Sequence, residues 1–245
     1  MNTAKPAISV LTHLYYEDGF DTLKEDLKKL VDGNVQFLFN ISADNTKKKE
    51  LLDEIKSTFP ASIVTVSPNK GKDIGGKFVL LDLCLKLNMK ADFYIFLHDK
   101  QSRHNSFGET WRKKLLRIID PQKIKAILEL YDKQKKLGIV SAKEFVANEY
   151  DRETDSFDST NEEILKTIIN QYGFNLNTFD FIGGTMFWIR AGILNDFFGK
   201  YSALNIRATF ETGNVLDDEK GTNVHAWERA LSWISTHQGY TIKGI

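Results

Sequence analysis

Four short apolar runs separated by helical patterns constrain the fold of this 245-residue chain more than any other feature. The runs occupy residues 8–11, 35–39, 63–66 and 93–97, and apolar residues at helical spacing lie between them. Strands that alternate with helices favour one parallel sheet, because each right-handed crossover returns the chain to the same edge. The sequence therefore predicts an α/β fold with a Rossmann-like, mostly parallel sheet flanked by helices.

The second half of the chain is less regular. Apolar residues predict a strand at 138–140, another that contains paired glycines at 181–190, and a helix at 223–236. The polar, acidic stretch at 148–163 predicts a long surface loop. Since no linker composition interrupts these patterns, residues 1–245 are predicted to form a single domain.

Composition argues against several classes of protein. Lys plus Arg equals Asp plus Glu at 33 each, so the net charge of zero offers no general attraction for nucleic acid. The single cysteine, Cys84, lies in an apolar helical pattern and is expected in the core. No apolar run approaches the ~20 residues of a membrane span, and no signal-peptide core follows the first residues. A soluble, cytoplasmic protein is expected.

The stretch from residue 67 to residue 102 joins a turn, a helix, a buried strand and a polar tip. Lys72 and Asp73 lie in its turn, and the Gly75-Gly76 pair is expected to permit close backbone approach before the helix begins. Phosphate-binding turns are built in this way. We therefore expect both charged residues to contact a ligand, with Asp73 suited to a base or a ribose hydroxyl. A salt bridge between the two is the structural alternative.

Polar residues also follow the fourth and first predicted strands. His98, Asp99 and Lys100 come directly after the apolar run at 93–97, and Tyr15 and Tyr16 come after the first strand. In open α/β sheets, ligands bind at the carboxyl ends of the strands. Stacking of the two tyrosines on a nucleoside and packing over the end of the sheet are equal alternatives.

Five motifs, taken in order, resemble the rhamnan synthesis F family of bacterial glycosyltransferases, which act in surface polysaccharide assembly. The motifs are NKGKDIGG at 69–76, HDKQS at 98–102, Trp111, GTMFWIR at 184–190 and HAWER at 225–229. The layout is similar to that of GT-A glycosyltransferases, in which a nucleotide-sugar lies across the first four strands.

The resemblance implies one GT-A-like domain with a division of labour along the chain. Its nucleotide-sugar-binding half is 1–102, and its acceptor and catalytic half is 103–245. The candidate donor-binding residues are Tyr15, Asn69, Lys72, Asp73, His98 and Asp99. The candidate acceptor-side residues are Trp188, Glu211 and Asp218, for which the structural alternatives are a core position for the tryptophan and a solvated loop for the carboxylates.

The sequence departs from the GT-A pattern at the end of the fourth strand. There an Asp-x-Asp motif usually holds a divalent cation, but His98 and Lys100 replace its two carboxylates and leave Asp99. His98, Lys100 and Lys72 offer positive charge directly to the leaving diphosphate. No metal is therefore expected to be required. The alternative is Mg²⁺ or Mn²⁺ anchored through Asp99.

The last predicted helix carries the candidate base. Its apolar stripe includes Val224 and Trp227, and His225 and Glu228 lie three residues apart along its edge. We expect Glu228 to be the general base for the acceptor hydroxyl, with His225 orienting it or contacting the leaving phosphate and Lys100 stabilising the leaving group. A structural pair of Glu228 with either His225 or Arg229 is the alternative, and Glu211 and Asp218 are rival bases.

These features together predict an inverting glycosyltransferase that moves a sugar from a nucleotide-diphosphate donor to a hydroxyl of a growing surface polysaccharide. The resemblance suggests rhamnose as the sugar, a glycan or lipid-linked glycan as the acceptor, and a cytoplasmic site of action at the inner face of the membrane. The alternative is a catalytically silent module that keeps the fold and binds a nucleotide or a glycan. Lack of a basic stripe disfavours a nucleic-acid partner.

Overall fold

The computed structural model describes residues 5–31, 33–99 and 108–245, with the backbone alone at 108 and 109. Lys100, one of the predicted catalytic residues, lies outside the described residues. The strands are β1 (Ala7–Leu14), β2 (Asn34–Ser42), β3 (Ile63–Ser67), β4 (Phe93–His98), β5 (Leu137–Ser141), β6 (Val146–Asn148), β7 (Tyr150–Asp151), β8 (Ser156–Phe157), β9 (Asp180–Ile182), β10 (Phe187–Arg190) and β11 (Thr241–Gly244). The helices are α1 (Gly19–Lys28), α2 (Lys48–Thr58), α3 (Lys72–Lys86), α4 (Gly108–Leu116), α5 (Pro121–Lys133), α6 (Glu162–Tyr172), α7 (Ala191–Phe198), α8 (Ala203–Ala208) and α9 (Asn223–His237).

A seven-stranded sheet organises the fold, in the order β11-β5-β10-β4-β1-β2-β3. β1 pairs in parallel with β2 and β4, β2 with β3, and β5 with β11, whereas β10 runs antiparallel to both of its neighbours. Every residue of β4 is buried, as expected for a central strand with an unbroken apolar run. The predicted α/β fold with a mostly parallel sheet flanked by helices is confirmed.

The parallel pairing brings polar side chains to one edge of the sheet. In the register of the strands, His13 of β1 lies opposite Asn40 of β2 and opposite His98 of β4. All three are buried, and Asp99 follows immediately after β4. The carboxyl ends of three adjacent strands therefore share a buried polar row, which is where the sequence places ligand contacts.

The glycine pair at the start of α3 has a different role from the one predicted. The helix begins at Lys72, so Gly75 and Gly76 lie inside its first two turns and not in a turn before it. A Cβ at Gly76 would overlap Nδ1 of His13 and lie 2.7 Å from Oδ1 of Asn40. Gly76 therefore lets α3 pack directly on the polar row of the sheet, whereas a Cβ at Gly75 would overlap the carbonyl oxygen of Lys70.

Two predictions for the second half were wrong in detail. The stretch 181–190 is not one strand, because a turn at 183–186 separates β9 from β10, and Gly184 and Thr185 adopt φ values of 78° and 50° there. The predicted loop at 148–163 contains a small hairpin of β7 and β8, in which the rings of Tyr150 and Phe157 pack 5.3 Å apart. Within the described ranges, none of the helices has the length and apolar character needed to cross a membrane.

Candidate functional site

A cleft of about 550 Å³ opens at the carboxyl edge of the sheet. It combines the ends of β1 and β4, the start of α3, the turn before β10 and the first turns of α9. The residues that line it are His13, Tyr15, Tyr16, Lys72, Asp73, Ile74, His98, Asp99, Gly184, Thr185, Asn214, Leu216, Val224, His225 and Glu228. Seven of the predicted site residues are therefore brought together: Tyr15, Lys72, Asp73, His98, Asp99, His225 and Glu228.

A buried ion pair forms the inner wall of the cleft. Nζ of Lys77 lies 2.7 Å from Oδ2 of Asp73 and 3.1 Å from Nδ1 of His98, and it donates to the carbonyl and hydroxyl oxygens of Thr185 at 2.9 and 2.6 Å. Burial alone would raise the pKa of Asp73, but the charges of Lys77 and His98 and the hydrogen bonds from Lys77 and Thr185 hold it well below its usual range. Asp73 is therefore ionised at neutral pH.

Asp99 occupies a more confined position beside the first loop. Its side chain is buried, and Oδ2 accepts hydrogen bonds from the backbone N–H groups of Tyr15 and Tyr16, both at 2.8 Å. Burial raises the pKa of Asp99 to about 7, against the opposing effect of those two hydrogen bonds. This carboxyl group thus fixes the loop after β1 and changes charge near neutral pH.

Asp99 is also the predicted alternative anchor for a divalent cation. Its Oδ2 is already shared by two backbone donors. Across the part of the chain that the structure describes, no group of three or more His, Cys, Asp or Glu side chains is arranged to hold a metal ion. Asp99 supplies at most one carboxylate to such an ion, whose remaining ligands would come from substrate phosphates and water.

Lys72 and His225 meet across the cleft from α3 and α9. Nζ of Lys72 lies 3.2 Å from Nε2 of His225, and Nδ1 of the same imidazole lies 2.6 Å from Oγ1 of Thr222, the N-cap residue of α9. Burial and then the charge of Lys72 lower the pKa of His225, so its imidazole is neutral at pH 7. The ammonium of Lys72 consequently donates to Nε2, and the pair closes one side of the cleft.

Glu228 lies on the same helix, one turn further along. Its Oε1 accepts a hydrogen bond from the backbone N–H of Gly184 at 2.6 Å, and its Oε2 accepts one from Nη1 of Arg229 at 3.0 Å. Arg229 also donates to Oε2 of the buried Glu149 at 3.0 Å. The ion pair considered as the structural alternative is thus present, while the Glu228 side chain still keeps 18% of its exposure and lines the cleft.

The predicted acceptor-side residues are not brought to the cleft. Trp188 is fully buried in β10 and donates from Nε1 to the carbonyl of Ile118 at 2.9 Å, so its predicted contact with the acceptor is corrected to a core role. Glu211 accepts from the backbone N–H groups of Asn223 and Val224, where it stabilises the start of α9. Asp218 is exposed outside the cleft wall.

Asn69, a predicted donor-binding residue, is buried beside the cleft. Its Nδ2 donates to Oδ1 of Asn214 at 3.2 Å, and Nδ2 of Asn214 donates to the hydroxyl of Tyr15 at 3.0 Å. Asn69 therefore supports the cleft wall through Asn214.

Sequence reasoning missed Lys77, Thr185 and Asn214. For Lys77 a signal exists, since it lies four residues after Asp73 in a helix that is otherwise apolar on its buried face. The paired glycines before Thr185 signal a turn as well as a close approach. Nothing in the sequence marks Asn214, because it reaches the cleft through a segment without regular structure.

The sequence is similar to known proteins over nearly its whole length. The model of the family described as rhamnan synthesis protein F matches residues 1–240. The protein named WxcX of Xanthomonas campestris pv. campestris, strain B100, is 25% identical over 243 residues, which cover 98% of this chain and 33% of that protein. The chain thus spans about a third of the length of the curated relatives that it matches.

Two solved structures follow a similar course. One is the mannosyltransferase PcManGT from Pyrobaculum calidifontis with GDP-Man and Mn²⁺, at a TM-score of 0.43 and 12% identity, over 99% of this chain and 55% of that chain. The other is residues 1–349 of S. aureus TarS with UDP, at a TM-score of 0.45 and 11% identity, over 94% of this chain and 65% of that chain. Because the family match covers nearly the whole sequence, the chain belongs to the rhamnan synthesis protein F family.

Proposed function

We propose that this chain is a glycosyltransferase that moves a sugar from a nucleotide-diphosphate donor to a hydroxyl of a growing bacterial surface polysaccharide. The observation that carries the proposal is the cleft itself. The carboxyl ends of parallel strands meet there with the imidazole of His225 and the carboxylate of Glu228, both on α9. Membership of the rhamnan synthesis protein F family supports it. Rhamnose is the sugar suggested by the family.

The donor is proposed to bind in the half of the cleft formed by residues 1–102. Tyr15 and Tyr16 offer aromatic faces to the nucleoside, and Lys72 lies at the start of α3, where the helix dipole also favours a diphosphate. Asp73 and Asp99, as hydrogen-bond acceptors, suit hydroxyl or N–H groups of the donor. Residues 103–245 then supply the acceptor side.

Glu228 is proposed as the general base in an inverting displacement. The Glu228 side chain lines the cleft and keeps 18% of its exposure, so its carboxylate is accessible to a glycan hydroxyl. Inversion requires a base opposite the leaving group, and Glu228 lines the same cleft as Lys72, which we propose contacts the diphosphate. His225 is proposed to contact the leaving phosphate through Lys72.

Transfer is proposed to need no metal ion, with Lys72, Lys100 and His98 supplying positive charge near the leaving diphosphate. Mg²⁺ or Mn²⁺ held through Asp99 is the alternative. A cytoplasmic location, at the inner face of the membrane when the acceptor is lipid-linked, belongs to the same proposal.

The test is a thermal-shift screen of UDP, GDP, dTDP and CDP and their sugar conjugates. A ligand that binds the native state stabilises it by about 2.7 kcal/mol at 100 times its dissociation constant. We expect at least one of these compounds to raise the melting temperature. No shift with any of them at millimolar concentration would contradict the proposed donor site.

A second candidate is a catalytically silent module that binds a nucleotide or glycan. The observation in its favour is the ion pair of Glu228 with Arg229, which holds the proposed base in a structural contact. The two functions separate on release of free nucleoside diphosphate from a bound nucleotide-sugar. Release that depends on added glycan acceptor supports the transferase, and binding without release supports the silent module.

A further inference from the structure

Lys77 is a lysine whose side chain is completely buried at the inner wall of the cleft. Its ammonium contacts Asp73 on α3, His98 on β4 and two oxygens of Thr185 in the turn before β10. A buried ammonium is destabilising unless it is paired and fully hydrogen-bonded. These contacts satisfy it and tie together three elements that line the cleft.

The contacts leave the two oxygens of Asp73 in different situations. Oδ2 takes the contacts with Lys77, with the Thr185 hydroxyl and, at 3.3 Å, with Nδ1 of His98. The Asp73 side chain nevertheless keeps 24% of its exposure and lines the cleft. Oδ1 of Asp73 has no hydrogen-bond partner among the described residues, and it is not one of the buried side-chain oxygens that lack a partner, so it is the oxygen that remains accessible from the cleft.

The same lysine holds an unfavourable backbone conformation in place. Thr185 is β-branched and has a φ of 50°, which such residues rarely adopt without support from their surroundings. Lys77 donates to both its carbonyl and its hydroxyl, and Glu228 accepts the N–H of the preceding Gly184. The turn is therefore fixed from two sides of the cleft.

We propose that Lys77 is a positioning residue for the nucleotide-sugar, because it fixes Asp73 with Oδ1 toward the cleft as an acceptor for a sugar hydroxyl of the ligand. An ionised carboxylate accepts hydrogen bonds and repels phosphate, so the group that meets it is a hydroxyl and not the diphosphate. The hydroxyl belongs to the ribose or to the transferred sugar. This inference rests on the proposed function.

The experiment couples a substitution in the protein to the removal of a hydroxyl from the ligand. Dissociation constants are measured by calorimetry for the tightest nucleotide-sugar of the screen, for its 2′- and 3′-deoxyribose analogues, and for analogues that lack one hydroxyl of the transferred sugar. A hydrogen bond to a charged group contributes about 1.5–3 kcal/mol, so we expect one deletion to weaken binding to the wild type by about 10- to 100-fold. The position of that deletion identifies the ribose or the transferred sugar.

Lys77→Met removes the ammonium and keeps the length of the side chain. We expect the critical deletion to weaken binding to this variant by less than about threefold, since Asp73 is no longer held. The matched control is Lys86→Met on the same helix, because Lys86 forms the same i,i+4 pair with Asp82 at 2.8 Å but is 66% exposed. In this control, the critical deletion is expected to weaken binding by the same factor as in the wild type.

A merely structural role would give another pattern. Lys77→Met would then weaken binding of the parent ligand and of every analogue by one common factor, and this outcome overturns the proposal. If Lys77→Met does not fold, Lys77→Arg and Asp73→Asn replace it. The proposal is overturned if the critical deletion weakens binding to both of these variants as much as it weakens binding to the wild type. A wild type that binds the parent ligand but shows no critical hydroxyl refutes this inference alone, whereas a wild type that binds no nucleotide refutes the proposed function and this inference with it.

Discussion

Asp99→Asn is expected to change how the stability of the protein depends on pH. The pKa of Asp99 is about 7 in the native state, raised by burial from 3.8. Between these pH values the native state binds one more proton than the unfolded state. The contribution of Asp99 to the free energy of unfolding is therefore fully present below pH 3.8 and is lost as pH rises through 7. The slope is about 1.4 kcal/mol per pH unit, which over this window amounts to about 4 kcal/mol.

The substitution removes this loss while it keeps an oxygen for the backbone donors of Tyr15 and Tyr16. The free energy of unfolding of Asp99→Asn should therefore rise, relative to the wild type, by about 4 kcal/mol between pH 4 and pH 7.5. Because the quantity is a difference between two proteins, the titration of unrelated groups cancels.

His13→Asn supplies a control of opposite sign. Burial lowers the pKa of His13 from 6.5 to about 4, against the charge of Asp73 and the hydrogen bond to Asn40. Its contribution is present above pH 6.5 and is lost as pH falls through 4. The contribution of His13 to the free energy of unfolding of the wild type rises over this range, and the variant has no such contribution. The free energy of unfolding of His13→Asn should therefore fall, relative to the wild type, by about 3 kcal/mol as pH rises from 4 to 6.5.

The assay is urea unfolding of the three proteins at matched ionic strength, in EDTA, at half-unit steps from pH 4 to pH 7.5. Free energies are obtained by linear extrapolation with a common m-value. If the difference between Asp99→Asn and the wild type stays constant over this range, the burial argument for the raised pKa is refuted. A His13→Asn difference of the same sign would show a general effect of substitution.

Three other predictions concern packing and catalysis. Gly76→Ala should destabilise the protein by about 1–3 kcal/mol, since its Cβ would press on the buried polar row. Gly192→Ala, which has open space around the Cβ, should not destabilise it. Chemical denaturation measures the free energy of unfolding of both variants. Glu228→Gln should lower turnover by roughly 10²–10⁴ with near-normal donor affinity, and turnover close to wild type would transfer the base role to another residue. Transfer should persist in EDTA, and Lys100→Ala should lower turnover by roughly 10²–10³; activity that EDTA abolishes and Mg²⁺ or Mn²⁺ restores would instead support the metal alternative.

The central strands β1 and β4 could be predicted from the sequence because they are buried over almost their whole length. β4 is apolar from Phe93 to Leu97 without interruption, and such a run at the centre of a parallel sheet has few other interpretations. α9 was predicted at 223–236 and spans Asn223–His237, since its apolar stripe is a local signal.

The break between β9 and β10 could not be predicted in the same way. Its local sequence is apolar on both sides of Gly183, Gly184 and Thr185, as in a strand with a bulge. What fixes the turn comes from elsewhere in the chain: Lys77 is 108 residues from Thr185, and Glu228 is 44 residues from Gly184. A pattern read over neighbouring residues contains no information on such contacts.

The sequence indicates which residues reach the cleft where position along a strand decides, but not where partners distant in the chain decide. His98 ends the central strand β4 and Asp99 follows it, so both lie at the carboxyl edge of the sheet, where the cleft opens. Glu211 has the same charge as Glu228 and a similar place near α9, yet it stabilises the helix start, because its oxygens meet the N–H groups of Asn223 and Val224. Residue type alone does not separate these two carboxylates.

The two lysine and aspartate pairs of α3 show the limit of spacing as a guide. Asp73 with Lys77 and Asp82 with Lys86 have the same i,i+4 separation and nearly equal distances of 2.7 and 2.8 Å. The exposed pair is worth about 0.3–0.5 kcal/mol, whereas removal of one partner of a buried pair costs about 3–5 kcal/mol. The two pairs differ in burial because Gly76, one residue before Lys77, lets α3 lie directly against β1. Lys77 is therefore buried at the inner wall of the cleft. The i,i+4 spacing therefore identifies the pair of the site only together with the apolar character of the helix face on which Lys77 lies.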